Sequence, residues 1–191
     1  MTLRVMVLAG SLRKASLNKK LATAMAAELD TVGADVRHLD LADFRLPVYD
    51  GDLEDEQGVP EAAQRLGDEM RAADAIVFVC PEYNSSISAP LKNAIDWVSR
   101  PVGEVSGSSA FRDKLVMLLA ASPGALGGLR GLVHVRAVLG HMGCIVLPDQ
   151  YALAKADAAF DANGGLSDEK ARARVAKLAQ RLVDAGRRWS E

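Results

Sequence analysis

The chain has 191 residues, of which 49% are hydrophobic and 25% charged, the proportions of an ordinary globular protein and not of a disordered or fibrous one. Lysine and arginine total 23 against 25 aspartate and glutamate residues, so the formal net charge of −2 gives no general attraction for nucleic acid or an anionic membrane. Aromatic residues make up only 5%, which argues against stacking platforms for single-stranded nucleic acid.

Five short apolar segments, each followed by a polar stretch or one with helical periodicity, predict strands at 3–10, 34–41, 73–80, 114–121 and 144–148. The second strand alternates and suits a sheet edge, whereas the third is continuously apolar and suits a central strand. Leucine and methionine four residues apart, from Leu17 to Leu29, predict the first helix. Further helices are predicted from about Pro60, from about Pro90 to Ser99, up to about His141 and from about Ser167.

The acidic segment 49–60 has turn formers and no period, so it is predicted to be a loop. It either overhangs a site or forms a solvated turn, and the solvated turn is favoured for its carboxylates, with Tyr49 as the exception.

Two cysteines, Cys80 and Cys144, border apolar runs and are expected to be reduced core side chains. The longest apolar runs, such as 115–121, are far shorter than the roughly 20 residues of a membrane-spanning helix. The apolar run near the N-terminus is too short for a signal-peptide core. We therefore expect a cytoplasmic protein without a membrane span, and we see no spacing typical of a metal site.

Alternation of strands and helices predicts right-handed βαβ crossovers and a parallel sheet covered on both faces. Five strands favour one doubly wound α/β domain over 1–191, with the flavodoxin-like strand order 2-1-3-4-5. Ligands of such sheets lie beyond the carboxyl ends of the strands, near the switch point. The loops after strands 1, 3 and 4 are therefore expected to converge on one crevice.

The first loop, GSLRKASLN at 10–18, opens a helix and is rich in hydroxyls, amides and cations. Backbone N–H groups and the helix dipole favour an anion there, and a phosphate fits well. The loop lacks the glycine and lysine spacing of a Walker A loop, the G-x-G-x-x-G fingerprint and the cysteine of a phosphatase loop. Ser16 alternatively caps the helix, a role compatible with phosphate binding.

The second loop, PEYNSS at 81–86, brings a carboxylate, an aromatic ring and an amide to the same edge, although Tyr83 alternatively packs with its hydroxyl outward. The third loop, SPGALGGLR at 122–130, has glycines that permit close approach to a flat ligand or merely allow a turn. His134 and His141 fall on the fourth long helix, away from these loops, and together with His38 are expected to be structural or surface residues.

GSLRKASLN after strand 1, together with PEYNSSISAPLKNAIDW after strand 3, resembles the NADPH-dependent FMN reductase family, which includes quinone, azo-dye and chromate reductases. The resemblance covers essentially the whole chain. It implies that the first loop holds the FMN phosphate and ribityl chain, that the second borders the flavin ring and that the third completes the site. The implied residues are Ser11, Arg13, Ser16, Leu17 and Asn18, then Pro81, Glu82, Tyr83, Asn84 and Ser85, then Ser122 and Gly124. Ala15 stands where many relatives have glycine.

The resemblance further implies hydride transfer from NADPH or NADH to bound FMN and then to a quinone or a similar small acceptor, which predicts ping-pong kinetics. Azo compounds, chromate and free flavin stay open as acceptors. No acid–base pair stands out, so no catalytic side chain is predicted, and Glu82 is taken as a binding residue. The alternatives are a flavodoxin-type electron carrier, disfavoured by Arg13, Lys14 and the near-zero net charge, and a flavin-free binder of the same fold.

The family resemblance also implies a homodimer or homotetramer in which the helix LKNAIDWVSR at 91–100 meets its counterpart. Trp97 either anchors that interface or packs within its own subunit.

Overall fold

The computed structural model describes residues 2–189 as alternating strands and helices. The strands are β1 (Arg4–Ala9), β2 (Asp35–Asp40), β3 (Ala75–Val79), β4 (Glu82–Tyr83), β5 (Ser86–Ile87), β6 (Leu115–Ala121) and β7 (Ile145–Leu153). The helices are α1 (Leu17–Thr31), α2 (Gly51–Gln57), α3 (Glu61–Ala72), α4 (Ala89–Val98), α5 (Leu129–His141) and α6 (Glu169–Trp189).

Five strands pair in parallel in the order β2-β1-β3-β6-β7, while β4 and β5 form a separate antiparallel hairpin. Counting only the strands of the large sheet, this order is 2-1-3-4-5, so the predicted flavodoxin-like arrangement is confirmed. The alternating second strand lies at an edge and the continuously apolar third lies in the centre, as predicted.

Alternate residues of the central strands supply two hydrophobic layers, because successive side chains of a strand point to opposite faces. Val5 and Val77 contribute to the layer covered by α1 and α6. Met6 and Phe78 contribute to the layer covered by α3, α4 and α5. Each such buried side chain contributes about 1.5–3 kcal/mol relative to exposure, so the two layers hold the strand ends in fixed positions.

The acidic segment differs from its prediction, because residues 51–57 form the helix α2 and not a loop. Asp50 begins this helix, and its side chain accepts a hydrogen bond from the N–H of Asp52 at 3.0 Å. Asp52 and Glu54 stand in the first turn, where a negative charge is favourable. α2 buries none of its described residues, so no hydrophobic period could reveal it in the sequence.

Trp97 is completely buried within its own chain, which excludes its role as an interface anchor. Its Nε1 donates to the carbonyl oxygen of Pro47 at 2.9 Å. The rings of Trp97 and Tyr49 pack edge to face, with their centroids 5.0 Å apart. The Tyr49 hydroxyl donates to Glu54 at 2.8 Å, so this side chain connects α2 to α4.

The fifth sheet strand runs to Leu153, five residues beyond the predicted end at 148. Its pairing shifts register opposite Val116 and Leu118, and the exposed Pro148 lies in this irregular stretch. Proline is tolerated at bulges and edges because it cannot donate to the ladder. The proline therefore interrupts the pattern without ending the strand.

Both cysteines are buried free thiols, as expected, and burial raises the pKa of Cys144 to about 12. Within residues 2–189, no helix combines the length and the apolar composition needed to cross a membrane.

Candidate active site

The first, second and third loops meet at the carboxyl edge of the sheet, because β1, β3 and β6 are neighbours. Together they line a cavity of about 320 Å³. The predicted residues that line it are Arg13, Ser16, Leu17, Asn18, Pro81, Glu82, Tyr83 and Ser122. Ala15, Ala121 and Pro123 also line it and were not predicted.

Four predicted site residues of the described chain do not line the cavity. Ser11 is buried, and its Oγ accepts the N–H of Arg13 at 3.3 Å. The Gly124 N–H donates to Ser122 Oγ at 3.2 Å. Asn84 and Ser85 form the tip of the β4–β5 hairpin with φ of 50° and 65°. Positive φ at both central residues is the signature of a type I′ turn, so the polar second loop is a tight hairpin.

The amino end of α1 is open toward a negatively charged group. The first in-helix hydrogen bond joins the Lys20 N–H to the Ser16 carbonyl at 3.1 Å, so three earlier N–H groups lie outside the helical pattern. Ser16 takes the N-cap position and is buried, yet among the described residues its side chain makes no capping bond. The same part of the structure has no acidic side chain in the first turn of α1.

Arg13 is the only basic residue, among those that the structure describes, to line the cavity. No ion pair within residues 2–189 involves it. Lys14 is exposed outside the lining, and Lys19 is paired with Asp40 at 2.6 Å. One arginine is therefore available to an anion at the start of α1.

Asn18 is buried and uses its amide within the protein. Its Nδ2 donates to the Ala121 carbonyl, and its Oδ1 accepts the Ala121 N–H, both at 2.9 Å. The side chain therefore ties the start of α1 to the last residue of β6, where the third loop begins.

Glu82 connects the second loop to the amino end of α5. Oε1 accepts from Arg130 Nη2 at 2.7 Å, and Oε2 accepts from the Gly131 N–H at 2.9 Å. Burial alone would raise the pKa of Glu82, but the bonds from Gly131 and Arg130 outweigh it and hold the pKa below its ordinary value. The carboxylate is therefore ionised at neutral pH, which disfavours a proton-donor role.

Two residues that were not predicted to belong to the site also contact its loops. Ser88 stands at the N-cap position of α4, but its completely buried Oγ donates to the Gly10 carbonyl at 2.6 Å. His134 was predicted to lie away from the loops, which is wrong, because its Nδ1 is 2.9 Å from Ser86 Oγ in the hairpin. The helical position of His134 could not show that the hairpin folds against α5.

The third-loop glycines serve packing within the fold. A Cβ on Gly128 would lie 2.8 Å from the Cβ of Ala120, and one on Gly127 would lie 2.7 Å from the backbone of Ala152. Both also have positive φ, so a side chain is disfavoured at either position.

The donor set fits a phosphorylated flat ligand. The uncapped α1 end, Arg13 and the Ser16 hydroxyl suit a phosphate. Pro81 is buried and Tyr83 is 50% exposed, so the neighbouring wall is apolar at depth and aromatic at the mouth.

Comparison with known proteins agrees with this chemistry. Residues 3–158 match the family model described as NADPH-dependent FMN reductase. A quinone reductase of Pseudomonas putida is 41% identical over 167 residues, covering 86% of this chain and 85% of that protein. An NAD(P)H-dependent FMN reductase of Pseudomonas aeruginosa is 36% identical over 188 residues, covering 98% of this chain and 95% of that protein.

Among solved structures, the flavoenzyme NAD(P)H:(acceptor) oxidoreductase FerB of Paracoccus denitrificans superposes with a TM-score of 0.79 at 30% identity, covering 98% of each chain. A flavodoxin from the domain Archaea superposes with a TM-score of 0.61 at 13% identity, covering 97% of this chain and 99% of that one, a likeness of fold alone. The chain belongs to the NADPH-dependent FMN reductase family and is an oxidoreductase that works with FMN and a nicotinamide.

Proposed function

We propose that the chain reduces quinones or similar small acceptors with electrons from NADPH or NADH, delivered in ping-pong order. The observation that carries this proposal is the open amino end of α1 beside a cavity walled by the second and third loops. The quinone reductase of Pseudomonas putida, at 41% identity, supports a quinone as the acceptor.

The first loop is assigned to the FMN phosphate and ribityl chain. Arg13 supplies a charge-assisted hydrogen bond, Ser16 its hydroxyl, and Leu17 a main-chain N–H. Asn18 contributes through its main chain as well, because both polar atoms of its side chain are bonded to Ala121. The phosphate end is assigned to Ser11, Arg13, Ser16, Leu17 and Asn18, and the third side of the site to Ser122 and Gly124. The ring is assigned to Pro81, Glu82, Tyr83, Asn84 and Ser85, chiefly through backbone polar groups, since both carboxylate oxygens of Glu82 are bonded to Arg130 and Gly131.

The protein's part in the reaction is to bind, orient and shield. When bound, FMN supplies a ring that takes a hydride from a nicotinamide and yields electrons to an acceptor. Pro81 and Tyr83 line the cavity and would contact that ring, and Tyr83 is 50% exposed, so its side chain would also be accessible to a second substrate. Glu82 stays ionised and engaged with α5, so no protein acid is assigned to proton delivery.

Reconstitution followed by rapid mixing tests the proposal. The protein is loaded with FMN, mixed without oxygen with NADPH or NADH, and only then given a benzoquinone or naphthoquinone. We expect the nicotinamide alone to bleach the flavin absorbance, the quinone to restore it, and initial-rate plots at several quinone concentrations to be parallel. Intersecting plots would contradict the ping-pong order. Bound flavin that neither nicotinamide bleaches would favour an electron carrier, and failure to bind FMN would reject both.

We further propose self-association as a homodimer or homotetramer. Val48 is 83% exposed and directly precedes Tyr49, whose ring packs on Trp97 of α4, so one exposed apolar side chain lies near the helix expected at the interface. Light scattering after gel filtration measures the mass, and a monomer at micromolar concentration would contradict this proposal.

We also propose a domain organisation and a cellular location for the protein. Residues 1–191 are assigned to one domain, since Leu178 of α6 and Leu21 of α1 share one hydrophobic layer. A cytoplasmic location agrees with the free thiols of Cys80 and Cys144, which a reducing compartment keeps reduced. Fractionation of expressing cells tests the location, and recovery outside the cytoplasm would contradict it.

A further inference from the structure

We infer that the side chains of Asn18, Ser88 and Glu82 form a ring of cross-loop bonds that holds the cavity in its binding shape before FMN arrives. This inference rests on the proposed function, since FMN is the ligand for which the shape is held. Each of the three is a positioning residue, because its side chain acts on the backbone of another loop.

Asn18 joins the first loop to the third. Its amide makes two hydrogen bonds of 2.9 Å with the N–H and carbonyl of Ala121, a residue that lines the cavity. A two-bond contact fixes orientation as well as distance. Because the amide is buried, loss of the contact would leave the main chain of Ala121 unpaired away from water.

Ser88 joins the end of the second-loop hairpin to the first loop. Its Oγ donates to the Gly10 carbonyl at 2.6 Å, while the Gly10 N–H donates to Val79 at 2.9 Å. The first residue of the phosphate-side loop is therefore held at both polar groups. A Cβ on Gly10 would lie 2.8 Å from Leu91, so α4 also approaches this point closely.

Glu82 joins the second loop to the helix that follows the third. Its side chain is 10% exposed and bonds both the Arg130 guanidinium and the Gly131 N–H. Tyr83 follows it directly in the hairpin, so the carboxylate fixes the backbone from which the aromatic side chain of the cavity mouth extends.

The three contacts connect the three loops pairwise and so close a ring. In a closed ring, two loops that lose their direct contact are still connected through the third loop. Removing one contact therefore loosens the cavity partially, whereas removing two leaves one loop without a side-chain connection. The ring predicts that double substitutions cost more than the sum of single ones. Pre-organisation of this kind lowers the ordering cost of binding.

Flavin association kinetics distinguish positioning from direct contact. If Ser88→Ala or Glu82→Gln lowers the population of the binding-competent shape, FMN association slows while dissociation stays unchanged. We expect about a 5-fold slower association for each variant and more than about 25-fold for the double variant, with faster amide hydrogen exchange at 10–18 and 81–86 in the flavin-free protein. Ser109→Ala is the matched control, because Ser109 Oγ makes an equal 2.6 Å bond to the Ser106 carbonyl away from the cavity.

Unchanged association rates in both single variants would overturn the ring. So would a double variant whose fold-decrease in association rate equals the product of the two single fold-decreases. Faster dissociation at an unchanged association rate would also overturn it, since that pattern belongs to residues that contact the flavin. Asn18→Ala extends the test to the third contact, and the Ser88 and Glu82 pair suffices if that variant does not fold. If the unaltered protein binds no FMN, the proposed function fails, while hydrogen exchange of the flavin-free variants still decides whether the ring exists.

Discussion

Two helix amino ends lie at the same edge of the sheet, and the chain treats them in opposite ways. At α5, the Glu82 carboxylate accepts the Gly131 N–H at 2.9 Å, so the helix end receives a negative charge from within the protein. At α1, among the described residues, Ser16 forms no side-chain cap and the first turn holds no acid. Helix amino ends attract anions. The amino end of α5 therefore already has an anionic partner, and the absence of one at α1 supports the proposal that α1 binds the FMN phosphate.

Giving the amino end of α1 its own carboxylate would abolish this difference between the two helices and have the largest effect on FMN binding. In Ser16→Asp the new side chain caps the helix and repels the phosphate, so we expect FMN to bind at least about 100-fold more weakly, or about 2.7 kcal/mol. The flavin-free protein should gain about 1 kcal/mol of stability, which raises Tm by about 2–4 °C. Fluorescence titration and thermal melts measure the two effects.

Ser109→Asp is the control, because it adds the same charge at an exposed serine away from the cavity. Unchanged FMN affinity in Ser16→Asp would show that α1 does not hold the phosphate.

Removing the available cation near α1 should have the next largest effect. Arg13→Ala is expected to weaken FMN binding about 10-fold to 30-fold, because a charge-assisted bond to phosphate is lost. Lys14→Ala is the matched control, since Lys14 is exposed outside the cavity lining, and we expect a change below about 3-fold. The effect of Arg13→Ala should diminish as salt is raised. Equal losses in the two variants would refute the specific assignment.

Neutralising the Glu82 carboxylate at the amino end of α5 should lower the stability of the fold. Glu82→Gln keeps the size of the side chain but loses its charge, so we expect the free energy of unfolding at pH 7 to fall by about 1–2 kcal/mol. The pKa of Glu82 is lowered in the fold from an ordinary value of 4.5, so its contribution is fully present above that pH and is lost as pH falls through the lowered value.

Urea unfolding at pH 7 and at successive pH values below 4.5 checks this contribution. The difference in the free energy of unfolding between the unaltered protein and Glu82→Gln should become smaller as the solution becomes more acidic. A gap that stays constant over this range would show that ionisation of Glu82 does not stabilise the fold.

The smallest effect is expected at the exposed contact between the hairpin and α5. His134→Ala removes the 2.9 Å contact with Ser86, but both groups are open to water. We expect the free energy of unfolding to change by less than about 0.5 kcal/mol. A loss above 1 kcal/mol in urea unfolding would mean that the hairpin depends on His134 and not mainly on Glu82.

The fold was largely predictable because its signals are local. Buried strands are continuously apolar, crossovers between parallel strands are right-handed as a general rule, and polar loops follow adjacent strands. The composition of 10–18 also indicated an anion site without any knowledge of its neighbours. Helix α2 escaped prediction because it buries no side chain, and its stability depends on Asp50 and the charges of its first turn.

The internal contacts of the site were not predictable, because each joins residues distant in sequence. Glu82 and Arg130 are 48 residues apart, and Asn18 and Ala121 are 103 apart. Ser88 has the sequence signature of a helix cap, yet its hydroxyl crosses to Gly10. Sequence pattern indicates which residue types a loop offers, whereas only the packed structure shows which of them are already engaged.

Comparison of FMN with riboflavin tests the central claim most directly, because the two molecules differ only in the phosphate. We expect the unaltered protein to bind FMN at least about 100-fold more tightly than riboflavin, a difference of about 2.7 kcal/mol. Arg13→Ala should narrow that gap and Ser16→Asp should nearly close it, while Lys14→Ala should leave it intact. Equal affinity for FMN and riboflavin in the unaltered protein would contradict the assignment of the α1 amino end to a phosphate.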